Sequence, residues 1–247
     1  MRKRMIGALV ALVVVTAALV IADSAIRSYA SERIASELRT AFKLAPTAPL
    51  RVDVQGFSAL LQLAQQRLDR VEVRADTVTF DGLTGSAILT ATGVPLDAAA
   101  SVSRLSLEFG LNATRLRTLS ASLSELKVSA VALADPNVVV TAPLSLLGLS
   151  VPVEVAIRPS AAAGALVLTP TTVSVAGIAL PAEQLSRRFG AGATAALAGR
   201  TVCVAKYLPA VLSLSRAEVQ NNKLVLTLAG TGVRLNATTL SAVGRCV

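Results

Sequence analysis

Leu50-Arg51-Val52-Asp53-Val54-Gln55-Gly56-Phe57-Ser58-Ala59-Leu60-Leu61-Gln62-Leu63-Ala64-Gln65-Gln66-Arg67-Leu68-Asp69-Arg70-Val71-Glu72-Val73-Arg74-Ala75 holds two periodicities in one short stretch. Leu50, Val52 and Val54 alternate with Arg51, Asp53 and Gln55, which predicts a strand. Gly56 breaks it. Phe57, Leu60, Leu61, Ala64 and Leu68 then recur at helical spacing, opposite Gln62, Gln65, Gln66, Arg67 and Asp69, the pattern of a surface helix laid on a core. After Arg70 the period returns to two, with Val71, Val73 and Ala75 against Glu72 and Arg74. Strand, helix and strand in succession predict an α+β fold rather than a helical bundle.

Upstream, Ile26, Ala30, Ile34, Leu38 and Phe42 recur every four residues, with Arg27, Glu32, Arg33, Glu37 and Arg39 off that stripe. A helix over Ser24–Leu44 is predicted, ended by Pro46 and Pro49. Before it, Met5–Ala22 is an almost unbroken apolar run directly behind Arg2, Lys3 and Arg4. As a helix its 18 residues reach ~27 Å, close to the ~30 Å hydrocarbon core of a bilayer. Two readings stand: an uncleaved membrane anchor, or a signal peptide cut after Val20-Ile21-Ala22 or Ser28-Tyr29-Ala30. Under either, the basic residues stay in the cytoplasm and the chain beyond Asp23 is extracytoplasmic, in the periplasm or secreted if the signal is cut. Residues 1–22 are thus the signal or anchor and 23–247 one domain.

Downstream, Val78 and Phe80 continue in the opposite phase, predicting a bulge or turn near Asp76-Thr77. Asp81-Gly82 and Gly85-Ser86 read as turns. Ser86–Val94 reads as a strand. Leu105, Leu107, Phe109 and Leu111 alternate with Arg104, Ser106, Glu108 and Gly110. Ala113–Leu123 is predicted helical. Strands are expected over Leu126–Leu133, Val138–Thr141, Val151–Ile157, Leu166–Leu168 and Val173–Val175. Pro181 opens a helix to Phe189, loosened by Gly190 and Gly192. Val202–Val204, Leu212–Val219, Leu224–Leu228 and Val233–Leu235 form a last β region, with Asn221-Asn222 as a hairpin turn.

Charged residues make up 16% of the chain and aromatics 3%, while 53% is apolar. The low charge implies a surface rich in Ser, Thr, Ala and Gly, as suits a lipid-handling protein or any small-residue-rich exported chain. The net charge is +9. From Leu185 onward Arg187, Arg188, Arg200, Lys206, Arg216, Lys223, Arg234 and Arg245 face Glu218 alone. Such a basic quarter favours anionic surfaces such as phospholipid headgroups, or is simply a solvated face. No motif points to nucleic acid. With no histidine, histidine-based triads and metal sites are excluded. No nucleophile elbow or phosphate-binding loop is present, so neither catalysis nor a cofactor is expected, a glycosidase-like site built by converging, sequence-distant carboxylates being the alternative. Cys203 and Cys246 are the only cysteines. Export makes a disulfide between them the expected state, and two free thiols the alternative.

The Leu50–Asp76 stretch resembles the opening of the LmeA-like phospholipid-binding family of actinobacteria. That family has a strand ending in Gly-Phe-Pro-Phe-Leu, a short helix and a Val-x-Val strand. Gly56, Phe57 and Leu60 match, whereas Ser58 and Ala59 replace the Pro-Phe pair. Val202–Pro209 and Leu224–Leu228 are similar to the family's C-terminal region. The resemblance implies a lipid-binding protein of the cell envelope, built like the tubular lipid-binding proteins. In those, a long amphipathic helix packs in a curved, mainly antiparallel sheet around an apolar channel. It also implies a role in lipid or lipoglycan handling, with phospholipid and membrane as partners. Phe57, Leu60, Leu61, Phe80 and Phe109 are the candidate acyl-chain contacts, ordinary core packing being the alternative for each. Arg187, Arg188 and Arg200 are the candidate headgroup contacts. The other functional reading is a non-catalytic module that docks an envelope protein.

Overall fold

The computed structural model describes the backbone of residues 2–41, 49–80, 83–97, 99–123, 128–146, 149–234, 239 and 242–245. Within those ranges, the side chains of residues 2–19 and of a few positions, Phe80 among them, lie outside the description. The elements are α1 (Arg2–Ala41), β1 (Leu50–Gln55), α2 (Ala59–Ala64), β2 (Arg67–Phe80), β3 (Leu83–Pro95), β4 (Val102–Leu111), α3 (Ala113–Leu123), β5 (Ala130–Ala134), β6 (Asn137–Leu146), β7 (Leu149–Ala162), β8 (Ala165–Val175), β9 (Ile178–Pro181), α4 (Ala182–Ala196), β10 (Arg200–Val202), β11 (Ser213–Gln220) and β12 (Lys223–Val233). This is an α+β fold dominated by antiparallel strands, with a helix at its N-terminus. Among the described residues, one sheet has the order β1-β2-β3-β4-β12-β11 and the other β10-β8-β7-β6-β5, with β9 on β8. Neither closes into a barrel. The chain forms two compact units: residues 1–75, 89–105 and 231–235, and residues 76–88, 106–230 and 236–247.

In the first unit the alternation of β1 and β2 translates directly into register. Val52 pairs with Val73 and Val54 with Val71, so the apolar side chains share one face. Val54, Leu68, Val71 and Val73 form the buried cluster, and Ala30, Ile34 and Leu38 of α1 pack against it with Leu89 and Val94 of β3. Each such aliphatic side chain contributes about 1.5–3 kcal/mol when fully withdrawn from water. The expected α1 stripe is therefore seated at these three residues, while Phe42 lies outside the described residues. No break separates the helix predicted from Ser24 from the apolar run before it. Among the residues whose side chains are described, which in α1 begin at Val20, no helix is long and apolar enough to cross a membrane. Glu72, on the opposite face of β2, is buried between Arg70 and Arg74 and ion-paired to both.

Two expectations fail here. The helix expected over residues 57–68 is one short segment, Ala59–Ala64, and Leu68 belongs to β2. Its faces are also inverted, as described below. Of the bulge or turn expected near Asp76-Thr77, the turn is absent, because β2 stays extended through both residues.

In the second unit β6, β7 and β8 form long antiparallel ladders, Val140 opposite Val155 and Val155 opposite Val173. Leu111 of β4, Val219 of β11 and Leu224 of β12 are buried together, with Phe109, Leu116, Leu133, Val138 and Leu226 packed on them. The Asn221-Asn222 turn joins β11 to β12 with φ of 51° and 59°. Asparagine tolerates that left-handed backbone, which suits a tight hairpin. α3 occupies the predicted residues, capped by the Asn112 side chain accepting from Arg115 N at 3.0 Å.

Gly85-Ser86 does not turn; it lies inside β3. A Cβ at Gly85 would stand 2.6 Å from the Gly110 carbonyl oxygen and 2.8 Å from the Phe109 ring. Glycine serves close approach there, not chain reversal. Leu166–Leu168 and Val173–Val175, expected as two strands, are one strand containing Pro170. Leu224–Leu228 and Val233 likewise belong to the single strand β12. β9 had no counterpart in the sequence reading. The helix after Pro181 runs on to Ala196 and kinks at Gly190, where φ is 67°. Asp81-Gly82 and Leu235 lie outside the described residues.

Candidate lipid-facing surfaces

In the first unit a corner between α1 and α2 is locked by one carboxylate. Asp23 Oδ2 accepts from Arg27 Nε at 2.9 Å, one helical turn on. Its Oδ1 accepts from Ser58 Oγ at 2.9 Å and from Leu60 N at 3.2 Å. Arg27 completes the clasp by donating to the Val54 carbonyl at 2.8 Å and the Gly56 carbonyl at 2.7 Å. Hydrogen bonding from Arg27 holds the Asp23 carboxyl down to about 2. Partial burial opposes this, and donors from Ser58, Leu60 and Ala59 add to the lowering. Asp23 is therefore anionic at any physiological pH, and the clasp persists.

Ser58 caps α2, its hydroxyl accepting from Leu61 N at 3.3 Å. A helix start of this kind usually staples the residue before the cap to an apolar residue one turn in. Here that inner position is Gln62, 2% exposed, so Phe57 has no apolar partner there and is 94% exposed. Gln62 Oε1 accepts from Asp69 N at 2.9 Å, and its Nε2 donates to the Gln55 carbonyl at 3.4 Å. One amide thus joins the end of β1 to the start of β2. With Gln62 and Ala59 facing inward, Leu61 and Leu63 are each 51% exposed, and Leu60 is half-buried. The spacing argument had Phe57 and Leu61 on the packed face and Gln62 in water.

Of the candidate acyl-chain contacts, Phe57, Leu60 and Leu61 therefore lie together at this corner. Phe109 lies in the core of the second unit, half-buried against the Leu111 cluster. Phe80 ends β2, with its side chain outside the described residues.

The basic candidates belong to the second unit. Arg187 lies on α4 and lines an open cleft of about 410 Å3 with Pro170 of β8 and Ala182, Glu183, Ser186 and Leu197. Its neighbour Arg188 is exposed, as is Arg200 at the start of β10, opposite Leu168. Glu183 offsets part of the positive field of the cleft. A second, smaller crevice of about 120 Å3 went unnoticed in the sequence. Arg115, Lys223, Thr77, Thr84, Ser86 and Asp76 line it, and Lys223 Nζ donates to Ser86 Oγ at 3.1 Å. With Gly110 of β4 its members come from five separate elements, so no local motif announces it.

Among the described residues no cluster of His, Cys, Asp or Glu could hold a metal ion. Cys203 follows β10, whereas Cys246 lies outside the described residues. No curated protein and no solved structure matches the chain. A model of the LmeA-like phospholipid-binding family matches residues 21–229, most of its length, and so the chain belongs to that family.

Proposed function

We propose that this protein binds phospholipid on the extracytoplasmic side of a membrane, held there by the apolar part of α1, and catalyses no reaction of its own. Membership of a phospholipid-binding family, over a match that covers both units, carries the reading. The apolar run after Arg2-Lys3-Arg4 supports the membrane attachment, and its orientation follows from those charges. Acyl chains gain ~0.8 kcal/mol per CH₂ removed from water, so an apolar surface suffices to hold them. The headgroup falls to the basic second unit, where Arg187 faces a cleft and Arg188 lies beside it. The role is lipid handling in the cell envelope, lipoglycan supply included.

The full chain, recovered from the membrane fraction and released from detergent in a native mass spectrometer, is expected to carry phospholipid adducts. Arg187→Glu with Arg188→Glu is expected to shift those adducts from anionic toward zwitterionic lipids. Its effect should shrink as salt rises, since ~0.15 M salt screens charges beyond ~8 Å. A chain found in the soluble fraction and free of lipid would refute the proposal.

The same export places Cys203 and Cys246 where thiols oxidise, and we propose that they pair. A bond closing that loop would stabilise the fold by ~4 kcal/mol in the chain-entropy estimate. Peptide mapping without reductant should recover the two peptides joined. Recovery of both as alkylated thiols would rule the bond out.

A further inference from the structure

The chain leaves large apolar side chains in water at one place where its own backbone offers a reason. Phe57 is 94% exposed, Leu61 51%, and on α1 Val20 and Ile21 are 69% and 68% exposed. Val20 and Ile21 are the last large residues of the Met5–Ala22 run. The clasp that fixes α2 to α1 is made by Asp23, the next residue after that run. Along a helix this is a rise of only ~1.5 Å per residue. α2 is therefore held at the level where the apolar run ends, not farther along the helix.

We propose that this corner is a membrane-interface wedge: Phe57 and Leu61 enter the headgroup–acyl boundary beside Val20 and Ile21 as α1 leaves the bilayer. The occupant is a lipid surface, not a protein groove, because the patch is continuous in the same helix with a run that has the length of a bilayer core. Amphipathic elements seated this way bury their apolar side ~5–10 Å into the boundary. Their polar anchors stay at its outer edge, the position of the Asp23–Arg27–Ser58 clasp. The clasp also explains why a helix as short as Ala59–Ala64 can present an apolar side chain at a fixed height. Its cap, its first turn and the strand before it are all tied to α1. Gln62 takes the inward position, which sends Leu61 outward. The inference rests on the membrane-held reading above and adds which surface of the first unit meets the bilayer.

The chain has no tryptophan, so a single introduced one reports its own surroundings. Full-length Phe57→Trp and Leu61→Trp, reconstituted in phosphatidylcholine–phosphatidylglycerol vesicles, are expected to emit blue-shifted light. Lipids brominated along the acyl chain should quench them. Tyr29→Trp is the internal reference. Tyr29 is 71% exposed on the same helix, and it lies ~12 Å beyond Ile21 at ~1.5 Å per residue. The Phe57 and Leu61 reporters should be quenched at least about twofold more strongly than the Tyr29 reporter, as the ~5–10 Å burial depth requires. Equal quenching at all three, or none at Phe57 and Leu61, would overturn the wedge. Blue-shifted emission without quenching would also overturn it, since a protein partner or second copy would then cover the corner. The two ideas fail separately. Strong quenching in a chain that carries no lipid adduct keeps the wedge and removes the lipid-binding function. Adducts without quenching do the reverse.

Discussion

Replacing Gln62 by leucine is expected to destabilise the first unit by about 2–4 kcal/mol, although the change makes α2 more apolar. The buried amide satisfies two backbone groups, Asp69 N–H at 2.9 Å and the Gln55 carbonyl at 3.4 Å. Removing it strands both, and a buried unsatisfied donor or acceptor costs ~1–3 kcal/mol. The added apolar contact offsets part of that loss. Leu61→Gln, one position away, should cost no more than ~0.5 kcal/mol, because half of the side chain is already in water. Periodicity alone ranks the two the other way. Urea unfolding of the full chain in micelles would measure both, with hydrogen exchange at the α2 amides reporting the first unit alone. If Leu61→Gln proved the costlier, the inward face of α2 would have to be reassigned.

That inversion shows where pattern reading stops. A period-two segment was legible to the residue where it pairs in unbroken register: β1 occupies the predicted Leu50–Gln55 against β2. The Asn221-Asn222 turn was legible because its backbone angles admit few residue types. α2 was not, because a helix of under two turns is governed by its caps and clasps rather than by its apolar stripe. Its apparent stripe continued into β2, where Leu68 is buried as a strand residue. Signals for the true arrangement were present: Ser58 as a cap, Gly56 before it, and an Asp23–Arg27 pair at i, i+4. They become informative only once α1 and β1 are brought together in space.

Breakers misled in a similar way. Pro170 and its threonine neighbours read as a gap between two strands. In the fold, the β7–β8 register steps from Ala156–Thr172 to Ile157–Pro170, leaving Thr171 as an extra residue. Thr171 Oγ1 donates to the Ala156 carbonyl at 3.1 Å across that bulge. A bulge is one of the few places where a strand accepts a residue without an N–H. The basic C-terminal charge was legible as a sum, but the cleft beside Arg187 was not. It exists because α4 and the Leu197 turn pack beside Pro170, a tertiary fact with no local signature.

Gly56→Ala is expected to be the most damaging single methyl in the first unit, at ~3 kcal/mol or more. Gly56 has φ of +133°, a region that L-residues with a Cβ rarely enter, and such strain costs ~1–3 kcal/mol. A Cβ there would also collide with the Gln62 amide and the Asp69 carboxylate. The exposed Asp69 carboxylate can swing away, but the Gln62 amide cannot move aside without giving up its bond to the Gln55 carbonyl, and the Gly56 carbonyl itself accepts from Arg27. The loss should therefore spread to the clasp and release α2. Gly177→Ala separates the two contributions. Its φ is +82°, but nothing lies within 4 Å of the added carbon. Only the backbone penalty of ~1–2 kcal/mol applies there. The difference between the two variants measures the close approach. If both cost the same in urea unfolding, the packing of Gln62 against Gly56 contributes nothing, and the clasp alone would have to hold α2 at its height beside α1.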